Sequence, residues 1–585
     1  MKKDIMPKEE KITGYPSRDK PWLKYYSEEA INARLPERTI YEHLWENNRD
    51  YLDNIALNYF DHKISYGKLF KNIERATNGY SALGLKKDDI VTVCAVTIPE
   101  TIYTFYGLNR LGVICNMIDP RTSMEGITEY IKEVNSKIVV TIDVAYSKVV
   151  EATKETNVEK IVVISPADSL LQPMKCLYKV FKTPKIPSDG LHILWKDLIK
   201  IGKDEKPNIV SYKKNTPCVI VHTGGTTGIP KGVMLSDDNM NAAAFQAIIA
   251  GFDFKREHNW LNIMPPFIAY GVGNGLHLPL VVGMEVILIP SFNPDKFADL
   301  LNKYHPNHMV GVPSHYGNIV HSQKMNKEDL SYVIAPVVGG DAMDIALEIE
   351  TNKFLEEHNC TYPICKGYGM SEVAAAVCAC ASHECNKIGS VGIPWPKTVM
   401  SAFDLSTGEE LGYNEEGEIC ITGPNTMVGY FNNKAETNNV IKKHKDGLLW
   451  VHSGDIGYID EDGFVYIKDR IKRVIIRHDG FKVFPSLIEK TVDKNLNVVS
   501  NCAVGVMDKS HRQGKLPVVF AVIAENADAR KVKAELFEIC KKELPEYVQP
   551  VDFIFIDKMP LTSIGKVDYR VLEKQARDLI KTGKD

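Results

Sequence analysis

Three kinds of pattern are missing from this sequence. Its twelve cysteines include no Cys-x-x-Cys pair, and their scatter over 585 residues is typical of reduced, buried thiols rather than a disulfide framework. No stretch reaches the roughly 18 consecutive apolar residues of a membrane-spanning helix, and residues 1–10 lack the apolar stretch of a signal peptide. These absences favour a cytoplasmic protein.

An excess of charge of one sign is also missing. The chain has 71 lysine and arginine residues against 75 aspartate and glutamate residues, a formal net charge of −4. A general nucleic-acid binder usually carries a strongly basic domain, so no nucleic-acid partner is expected. The hydrophobic fraction of 44% and the charged fraction of 25% are globular values and exclude a disordered or fibrous chain.

The first half of the chain alternates β-branched runs with helical stretches. Strand-like runs at 91–96 and 113–118 flank a helical stretch near 100–112, and residues 137–142, 145–156 and 161–165 repeat this order. Strand–helix–strand units of this spacing predict parallel sheets with helices on both faces, which is an α/β fold class.

The pattern changes near residue 470. Residues 455–466 predict two strands around an Asp-Gly turn, and strand-like runs at 474–476 and 518–523 then mix with helices near 527–543. We therefore expect two domains joined by a hinge near Asp469–Lys472. They are a large multi-subdomain N-terminal domain over 1–470 and a small, mobile C-terminal α+β lid domain over 471–585.

Residues 169–182 interrupt the α/β alternation. After Pro173 the apolar residues fall at near-helical spacing, with Lys175, Lys179 and Lys182 along another side. A basic amphipathic helix can lie in an anionic membrane interface, which would place the protein peripherally at the inner membrane surface. The interpretation that we favour is a surface helix docked on its own domain.

The strongest chemical signal is an apolar strand that leads into a loop of glycines and threonines. The glycines let backbone N–H groups turn toward an anion, the hydroxyls add donors, and Lys231 supplies a charge for phosphate oxygens. Pro230-Lys231 stands where a Walker A loop needs Gly-Lys-Ser/Thr, so this is not that loop. A connector without a ligand is the simpler alternative. The predicted phosphate-binding residues are Thr223, Gly224, Gly225, Thr226, Thr227, Gly228 and Lys231.

Residues 223–232 resemble the phosphate loop of the adenylate-forming (AMP-binding) superfamily, which includes acyl-CoA synthetases, firefly luciferase and the adenylation domains of peptide synthetases. Five further motifs follow in the family's order, so the resemblance covers roughly residues 40–575. They are Gly339-Gly340-Asp341, Gly367-Tyr368-Gly369-Met370-Ser371-Glu372, Trp450–Asp455, Asp469–Lys472 with Gly480–Pro485, and Pro560–Lys566. The chain looks closest to the acyl-CoA synthetases, or fatty-acid–CoA ligases.

The resemblance implies an ATP site and a role for each motif. Tyr368 offers a face for adenine, Ser371 can donate to the α-phosphate, and Asp455 can accept the ribose hydroxyls with Arg470 beside it. Glu372 is a hard oxygen ligand suited to Mg²⁺. The nucleotide-binding residues implied in addition to the phosphate loop are Gly339, Gly340, Asp341, Gly367, Tyr368, Gly369, Ser371, Asp455, Arg470 and Lys566.

The catalytic residues that the resemblance implies are Lys566, Glu372 and Lys231. Lys566 would reach in from the small domain and neutralise charge as the acid attacks phosphorus. The small domain would then rotate about Lys472, and Gly480 and Phe481 would help to form a channel for CoA.

The acyl pocket implied by the resemblance departs from the family in one segment. Pro265-Pro266-Phe267-Ile268 replaces the family's Pro-Leu-Phe-His, and Gly224 replaces a common serine of the phosphate loop. Aromatic, small and apolar residues predominate in the pocket, which favours an apolar acid. Its predicted lining residues are Phe267, Tyr270, Gly271, Val312, His315 and Gly369.

A cluster of possible metal ligands follows Glu372. Cys378, Cys380, His383 and Cys385 are residue types that bind zinc, although they are spaced more tightly than in usual zinc fingers. Buried thiols are the interpretation that we favour, and metal binding is left open.

The sequence therefore predicts an ATP-dependent carboxylic acid–CoA ligase that forms an acyl-adenylate and releases AMP and pyrophosphate. ATP, Mg²⁺ and CoA are the expected cofactors and co-substrates, and a medium- or long-chain fatty acid is the expected acid, ahead of aryl acids. Two alternatives stay open: a ligase that loads a separate acyl-carrier protein, and a non-catalytic sensor of acyl groups or AMP. The sensor would be expected to lose Lys566 or Glu372, and both are present.

Overall fold

The computed structural model describes residues 12–181, 184–187, 189–223, 231–477, 482–510, 514–562 and 567–582. Parallel sheets flanked by helices make up most of the described chain, which confirms the predicted α/β fold class. One continuous core, in which Leu57, Val93, Val140, Leu261 and Val310 are buried, joins the two largest sheets. No helix among the described residues has the length and apolarity that crossing a membrane would require.

The sheet that leads to the phosphate loop has eight strands among the described residues, and its central strands are parallel. Continuous β-branched runs form these central strands because helices cover both faces. Its strands, in spatial order, are Gly429–Tyr430, Lys231–Ser236, Pro217–Thr223, Ile114–Ile118, Ile90–Cys94, Ile138–Ile142, Lys160–Ile164 and His192–Leu194.

A second sheet of nine described strands carries the glycine motifs at the ends of its strands. It is parallel from Ile55–Tyr59 through Cys365–Met370, and antiparallel strands close both edges. The spatial order is Ile393–Pro394, Ala375–Ala379, Cys365–Met370, Ala335–Val338, His308–Gly311, Asn259–Asn262, Glu285–Leu288, Ile55–Tyr59 and His62–Ser65.

An antiparallel sheet of five described strands follows and holds the Ser-Gly-Asp motif. The strands Leu449–Ile459 and Val465–Arg470 are joined at the Asp-Gly turn that the sequence predicts. The other strands are Val399–Phe403, Gly417–Thr422 and Ile441–Lys443.

The helices lie against these sheets, and local capping explains several of their starts. Thr39 and Ser236 each accept a backbone N–H three residues later in a capping box. A π-helix at Tyr270–His277 interrupts the α-helical pattern. The described α-helices before residue 470 are Pro16–Asp19, Glu28–Asn32, Ile40–Asn48, Tyr66–Ala82, Pro99–Arg110, Met124–Val134, Tyr146–Thr153, Met174–Phe181, Trp195–Ile201, Asp237–Ile249, Leu278–Val282, Phe297–Tyr304, Pro313–Val320, Ile345–Glu357 and Lys434–Val440.

The residues after 470 pack around cores of their own. Val483, Val519 and Leu536 belong to one buried cluster, and Phe520 and Leu572 belong to another. The elements described here are the strands Ile475–Ile476, Lys482–Val483, Val498–Met507, Lys515–Ile523 and Asp552–Phe555, and the helices Pro485–Val492, Ala529–Glu543 and Tyr569–Thr582.

The segment 169–182 contains the helix Met174–Phe181. Lys175 Nζ donates to the carbonyl oxygen of Asp168 at 2.9 Å, and the Tyr178 hydroxyl donates to Asp143 Oδ1 at 2.9 Å. These contacts hold the helix against its own domain, as the favoured interpretation expects. The side chain of Lys179 and the whole of Lys182 lie outside the described residues, so the membrane interpretation stays a prediction.

Candidate active site

The phosphate loop connects two antiparallel strands of the eight-stranded sheet. Thr223 ends the first strand and pairs in register with Lys231, which begins the second. The predicted residues Gly224, Gly225, Thr226, Thr227 and Gly228 lie outside the described residues. Strand pairing therefore holds the two ends of the loop side by side, and Lys231 lies at the end of the loop, on the first position of the second strand.

Lys231 lies between an acidic side chain and an aromatic ring. Its Nζ is 2.5 Å from Glu436 Oε2 and 5.0 Å from the centre of the Tyr430 ring. The strand Gly429–Tyr430 pairs with Lys231–Ser236, which brings this ring to the lysine. The ammonium group is thus held in place by an ion pair and a cation–π contact.

Glu372 is connected to Lys231 through the same tyrosine. The Tyr430 hydroxyl donates to Glu372 Oε1 at 2.6 Å, and only 7% of Glu372 is exposed. Burial, followed by the nearby charge of Glu372, raises the pKa of Tyr430, so its hydroxyl remains a donor at neutral pH. The predicted metal-binding carboxylate therefore has a fixed orientation and lies beside the phosphate-loop lysine.

A second group of side chains lies where the nine-stranded sheet meets the five-stranded sheet. The Tyr368 hydroxyl donates to Asp455 Oδ2 at 2.6 Å, and Arg470 Nε lies 3.0 Å from Asp455 Oδ1. The negative charge of Asp455 raises the pKa of Arg470, and Tyr368, Glu372 and Asp341 act in the same direction. Arg470 therefore links the predicted ribose site to the predicted metal site.

The backbone before Asp455 is held by the half-buried carboxylate of Glu418, which also contacts a histidine. Glu418 Oε1 accepts the backbone N–H of Gly454 at 3.0 Å, and Glu418 Oε2 lies 2.7 Å from His452 Nδ1. Gly454 has φ = +72°, a conformation that favours glycine. The turn Ser453-Gly454-Asp455 is thus fixed from the neighbouring strand Gly417–Thr422.

The glycine motifs meet at the carboxyl ends of the parallel strands. The N–H of Gly339 donates to Gly311 O at 3.0 Å, and a Cβ added at Gly339 would lie 3.4 Å from Gly367 O. A Cβ added at Gly369 would lie only 1.6 Å from Ala375 O, so no larger residue fits there. Ser371 lies two residues after Gly369 and begins a short 3₁₀ helix that also contains Glu372.

Part of the predicted acyl pocket lies against these glycines. A Cβ at Gly340 would be 3.6 Å from Val312 Cγ1 and 4.0 Å from the Tyr270 ring. The Tyr270 hydroxyl is buried and has no hydrogen-bond partner among the described residues. Tyr270, Val312 and the glycine pair therefore form one wall beside the predicted nucleotide site.

Phe267, Gly271 and His315 are further predicted residues of the acyl pocket. Phe267 is 6% exposed, and Gly271 approaches the Pro265 carbonyl so closely that a Cβ would clash. His315 packs edge-on against Phe292, and burial lowers the pKa of His315 to about 4. His315 is therefore neutral at physiological pH.

The predicted hinge connects the two parts of the chain through Asp469. Asp469 Oδ1 accepts the N–H of Arg470 at 2.7 Å, and Oδ2 accepts the N–H of Ser486 at 3.0 Å. Lys472 lies in a 3₁₀ turn at 471–473, and its side chain is outside the described part. Gly480, Phe481 and Lys566 also lie outside the described residues, so their roles remain predictions.

The cysteine cluster does not form a set of converging metal ligands. Cys378 Sγ donates to Val391 O, Cys385 Sγ lies 2.9 Å from Ser382 Oγ, and His383 Nε2 lies 3.0 Å from Thr361 O. Cys378, Cys380 and Cys385 are buried. Among the described residues the donor atoms that do converge belong to Glu418, Cys420 and His452.

Sequence reasoning missed Tyr430, Glu436 and Glu418. None of them belongs to a quoted motif, and each reaches the site only because antiparallel strands or a helix start place it there. Tyr430 follows Gly429 in a two-residue strand, which carries no periodic signal. The Gly-Glu pair that begins the strand Gly417–Thr422 was the one local feature that could have indicated Glu418.

Two family models match the chain. The model described as AMP-binding enzyme matches residues 44–431, and the model described as AMP-binding enzyme C-terminal domain matches residues 487–566. The first match covers more than half of the chain. The protein therefore belongs to the AMP-binding enzyme family, as the motifs predict.

Particular relatives extend over almost the full length. A long-chain-fatty-acid–CoA ligase of Bacillus subtilis is 28% identical over 571 residues, covering 96% of this chain and 99% of the relative. A probable 4-coumarate–CoA ligase 1 of Dictyostelium discoideum is 29% identical over 565 residues, covering 95% and 97%. The structure of ATP-bound MatB from Rhodopseudomonas palustris has a TM-score of 0.79 at 22% identity, covering 92% of this chain and 99% of MatB, and it shows a shared fold.

Proposed function

We propose that the acid activated by this enzyme is a medium- or long-chain fatty acid. The enzyme itself is an AMP-forming acid–CoA ligase. The acid's carboxylate attacks the α-phosphorus of ATP and displaces pyrophosphate, and the CoA thiol sulfur then attacks the acyl carbon and displaces AMP. The observation that carries the site assignment is the meeting of two linked groups, Tyr368–Asp455–Arg470 and Glu372–Tyr430–Lys231.

In the proposed nucleotide site, the Tyr368 face carries adenine and Asp455 accepts the ribose hydroxyls. Asp455 is 2% exposed and is already oriented by Tyr368 and Arg470. Binding of ribose therefore needs little rearrangement of the carboxylate. Gly339, Gly340 and Asp341 line the adenine side, and Ser371 lies beside the α-phosphate.

The residues present fit a Mg²⁺ ion next to the triphosphate. Glu372 offers a hard carboxylate oxygen. The hydrogen bond from the Tyr430 hydroxyl uses only one of the two carboxylate oxygens of Glu372, Oε1. Mg²⁺ would be held by Glu372 and would neutralise negative charge on the phosphates. Glu436 holds Lys231 in place until the phosphates replace it as the partner of the ammonium group.

Two domain orientations account for the two half-reactions in this proposal. With the domains divided as 1–470 and 471–585, rotation at Lys472 moves Lys566 away after adenylation and brings Gly480 and Phe481 to the CoA channel. Asp469 supports a hinge at this place because its two oxygens accept N–H groups on either side, at Arg470 and Ser486. These two hydrogen bonds fix the backbone on both sides of Lys472, so the proposed rotation takes place between them.

Two observations support a fatty acid. The proposed pocket is walled by Phe267, Val312, Tyr270 and glycines, and His315 is held neutral by burial. An uncharged, mostly apolar wall favours an aliphatic chain. The similar ligase of Bacillus subtilis is named for long-chain fatty acids.

An aryl acid is the second candidate. The buried Tyr270 hydroxyl without a partner in the described part of the chain would suit a polar ring substituent, because an unpaired buried hydroxyl is costly. Similar proteins in Dictyostelium discoideum are named as probable 4-coumarate–CoA ligases. The two candidates therefore differ in whether Tyr270 donates to the substrate.

A separate acyl-carrier protein as acceptor, a membrane contact through 169–182 and a cytoplasmic location remain further proposals. All twelve cysteines are free, and eleven of them are buried, which suits a reducing compartment. No observation on the described residues favours the carrier protein over CoA.

The test is a screen of pyrophosphate release over a panel of acids, with and without CoA. Saturated acids of increasing chain length, 4-coumarate, benzoate and anthranilate make up the panel. Highest kcat/KM for a fatty acid of medium or long chain is expected. Preference for an aryl acid, lost in Tyr270→Phe, would replace the fatty-acid proposal, and absence of turnover with every fatty acid of the panel would overturn it.

The half-reactions test the two orientations separately. Lys566→Ala should abolish adenylate formation and largely spare thioester formation from supplied acyl-adenylate. The parent enzyme and Lys574→Ala, a change at an exposed lysine of the last helix, serve as references. Equal loss of both half-reactions in Lys566→Ala would overturn the two-orientation proposal.

A further inference from the structure

A cavity of about 400 Å³ lies in the N-terminal part of the chain and is separate from every residue of the candidate active site. It is open to solvent on one side and is lined by the strand His62–Ser65, the helices Tyr66–Ala82, Pro99–Arg110 and Trp195–Ile201, and the turn at Asp168-Ser169. This volume falls within the range of about 300–1,000 Å³ for small-molecule sites. The reaction described above leaves it unused.

One wall of the cavity is basic. Lys68, Lys71 and Arg75 occur at positions i, i+3 and i+7 of the helix Tyr66–Ala82, so the three side chains lie on one face. None of them is in an ion pair with another described residue. The three side chains are exposed and can donate to an anionic ligand in the cavity.

A buried carboxyl group also lines the cavity. Glu100 is 2% exposed, its Oε1 accepts the Ser169 hydroxyl at 2.6 Å, and its Oε2 has no partner among the described residues. Burial, and then the negative charge of Asp168, raises the pKa of Glu100 to about 8. At neutral pH the group is therefore a protonated carboxylic acid with a hydrogen to donate.

The cations and the carboxylic acid define what the cavity can bind. Lys68, Lys71 and Arg75 provide charge-assisted donors for anionic oxygens, and the proton of Glu100 adds one donor. Tyr103 and Trp195, stacked at 6.3 Å, provide an aromatic wall for an organic part. We propose that this cavity is a binding site for a phosphate ester, with the phosphate on the three cations and its organic part toward Glu100.

The phosphate ester has two possible sources, which share this chemistry. The wall residue Ser169 is followed closely by Leu171, Met174 and Leu177, which are 47%, 41% and 57% exposed. Exposed apolar side chains beside basic ones are typical of surfaces that touch lipid. The source is therefore either a phospholipid headgroup or a soluble phosphate monoester.

The first experiment is calorimetric titration of the full chain with glycerol 3-phosphate, in the presence of saturating AMP so that the nucleotide site is filled. Glycerol serves as the probe without phosphate. A parallel arm measures co-sedimentation with vesicles of phosphatidylglycerol and phosphatidylcholine, or of phosphatidylcholine alone. Saturable binding of glycerol 3-phosphate indicates the soluble source, and binding only to the anionic vesicles indicates the lipid source.

The double variant Lys68→Ala with Lys71→Ala tests the basic wall. Each lost charge-assisted contact should lower affinity about tenfold. The matched control is Lys541→Ala with Lys542→Ala, which removes the same charge at exposed positions of the helix Ala529–Glu543. The proposal is overturned if neither probe binds the parent, or if both double variants bind the probes equally well.

The variant Glu100→Gln distinguishes a binding site that includes Glu100 from a surface that is only basic. Glutamine keeps a donor at all pH values, whereas glutamate becomes an anion above its pKa and repels the phosphate. Between about pH 7 and about pH 9 the parent should lose about tenfold in affinity for glycerol 3-phosphate and Glu100→Gln should not. The other charged or titratable groups that face Glu100 are Tyr59, His62, Lys68, Lys71, Arg75, Tyr103, Asp168 and Lys175.

One result of the pH experiment would contradict the proposed role of Glu100. Glycerol 3-phosphate is a dianion across this range, since its second pKa is about 6, so the probe itself does not change charge. An equal loss of affinity in the parent and in Glu100→Gln would overturn the place of Glu100 in the site. Thermal unfolding of both proteins verifies that the buried substitution leaves the fold intact.

Discussion

The Tyr430 hydroxyl donates to Glu372 Oε1 at 2.6 Å, while the ring of the same tyrosine lies 5.0 Å from Lys231 Nζ. One side chain therefore orients both the carboxylate proposed to hold Mg²⁺ and the lysine proposed to meet the phosphates. The three residues are far apart in the sequence, and antiparallel pairing of Gly429–Tyr430 with Lys231–Ser236 brings Tyr430 to Lys231. The relative position of the two charges is thus set by a residue outside the motifs.

Tyr430→Phe should weaken the use of Mg·ATP and leave the ring contact with Lys231 in place. Loss of a hydrogen bond to a charged acceptor costs about 1.5–3 kcal/mol, so we expect about tenfold or more loss in adenylation at limiting Mg²⁺. The measurement is ATP–pyrophosphate exchange titrated with Mg²⁺. Tyr458→Phe, which removes the hydroxyl of a ring stacked on Tyr466, is the control. Coinciding curves for parent and Tyr430→Phe would contradict this role.

Asp455→Asn should raise the KM for ATP by about tenfold or more, because the ribose loses a charged acceptor and Arg470 loses its ion pair. Asparagine can still accept from Tyr368, so the fold should be retained. Calorimetric binding of ATP, with thermal unfolding as the control for folding, measures the effect. Unchanged ATP affinity would show that ribose is bound elsewhere.

Glu418→Gln should act through the position of Asp455 rather than on the reacting atoms. A glutamine side chain has one oxygen that accepts and one NH₂ group that donates, so it cannot accept from both Gly454 N and His452 Nδ1. We therefore expect the turn at 453–455 to be less firmly held. We expect the KM for ATP to rise several-fold while kcat at saturating ATP stays within about twofold. Glu416→Gln, at an exposed position two residues earlier, is the control. A fall in kcat with unchanged KM would argue for a direct chemical role.

The sequence was sufficient for the parts of the site that local backbone geometry determines. Gly369 is required where the strand Cys365–Met370 approaches the Ala375 carbonyl, and the hydroxyl-rich loop begins at the end of a β-branched strand. Such requirements leave glycines and charges at fixed spacings. The alternation of strands and helices likewise predicted the parallel sheets, since each unit is local.

The parts that could not be predicted depend on contacts between distant segments. Tyr430 and Glu418 reach the site through strand pairing, which depends on register across many residues rather than on neighbours in sequence. The cysteine cluster shows that closeness in sequence does not make a metal site, and the favoured interpretation of buried thiols is confirmed. Cys378 and Cys385 are close in sequence, but their thiols point to Val391 O and Ser382 Oγ, respectively.

A buried histidine pair gives the last prediction, which concerns stability and pH. His43 Nδ1 and His277 Nε2 each lie 2.9 Å from Asn241 Oδ1, and the Tyr106 hydroxyl lies 3.0 Å from His277 Nδ1. A carbonyl oxygen only accepts, so both ring nitrogens facing Asn241 carry hydrogen, and His277 Nδ1 accepts from Tyr106. The hydrogen bonds to Asn241 and from Tyr106 therefore suit the neutral forms of both imidazoles.

Burial lowers the pKa of His43 to about 4 and that of His277 well below its usual value of 6.5. The unfolded chain takes up these protons as pH falls below about 6.5, whereas the folded chain does not. The stabilisation is therefore complete above about pH 6.5 and is lost progressively down to about pH 4. For His43 alone the loss is about 3 kcal/mol.

His43→Gln should remove that part of the pH dependence. Glutamine can donate to Asn241 and does not titrate, so the variant is expected to be less stable than the parent at pH 7 by an amount that shrinks by up to about 3 kcal/mol at pH 4. Denaturant unfolding of both proteins at the two pH values measures the change. The groups whose pKa values are raised by burial, such as Asp237, act equally in both proteins and cancel in the difference. A difference in stability that stays constant with pH would mean that His43 takes up a proton in the folded protein as readily as in the unfolded chain.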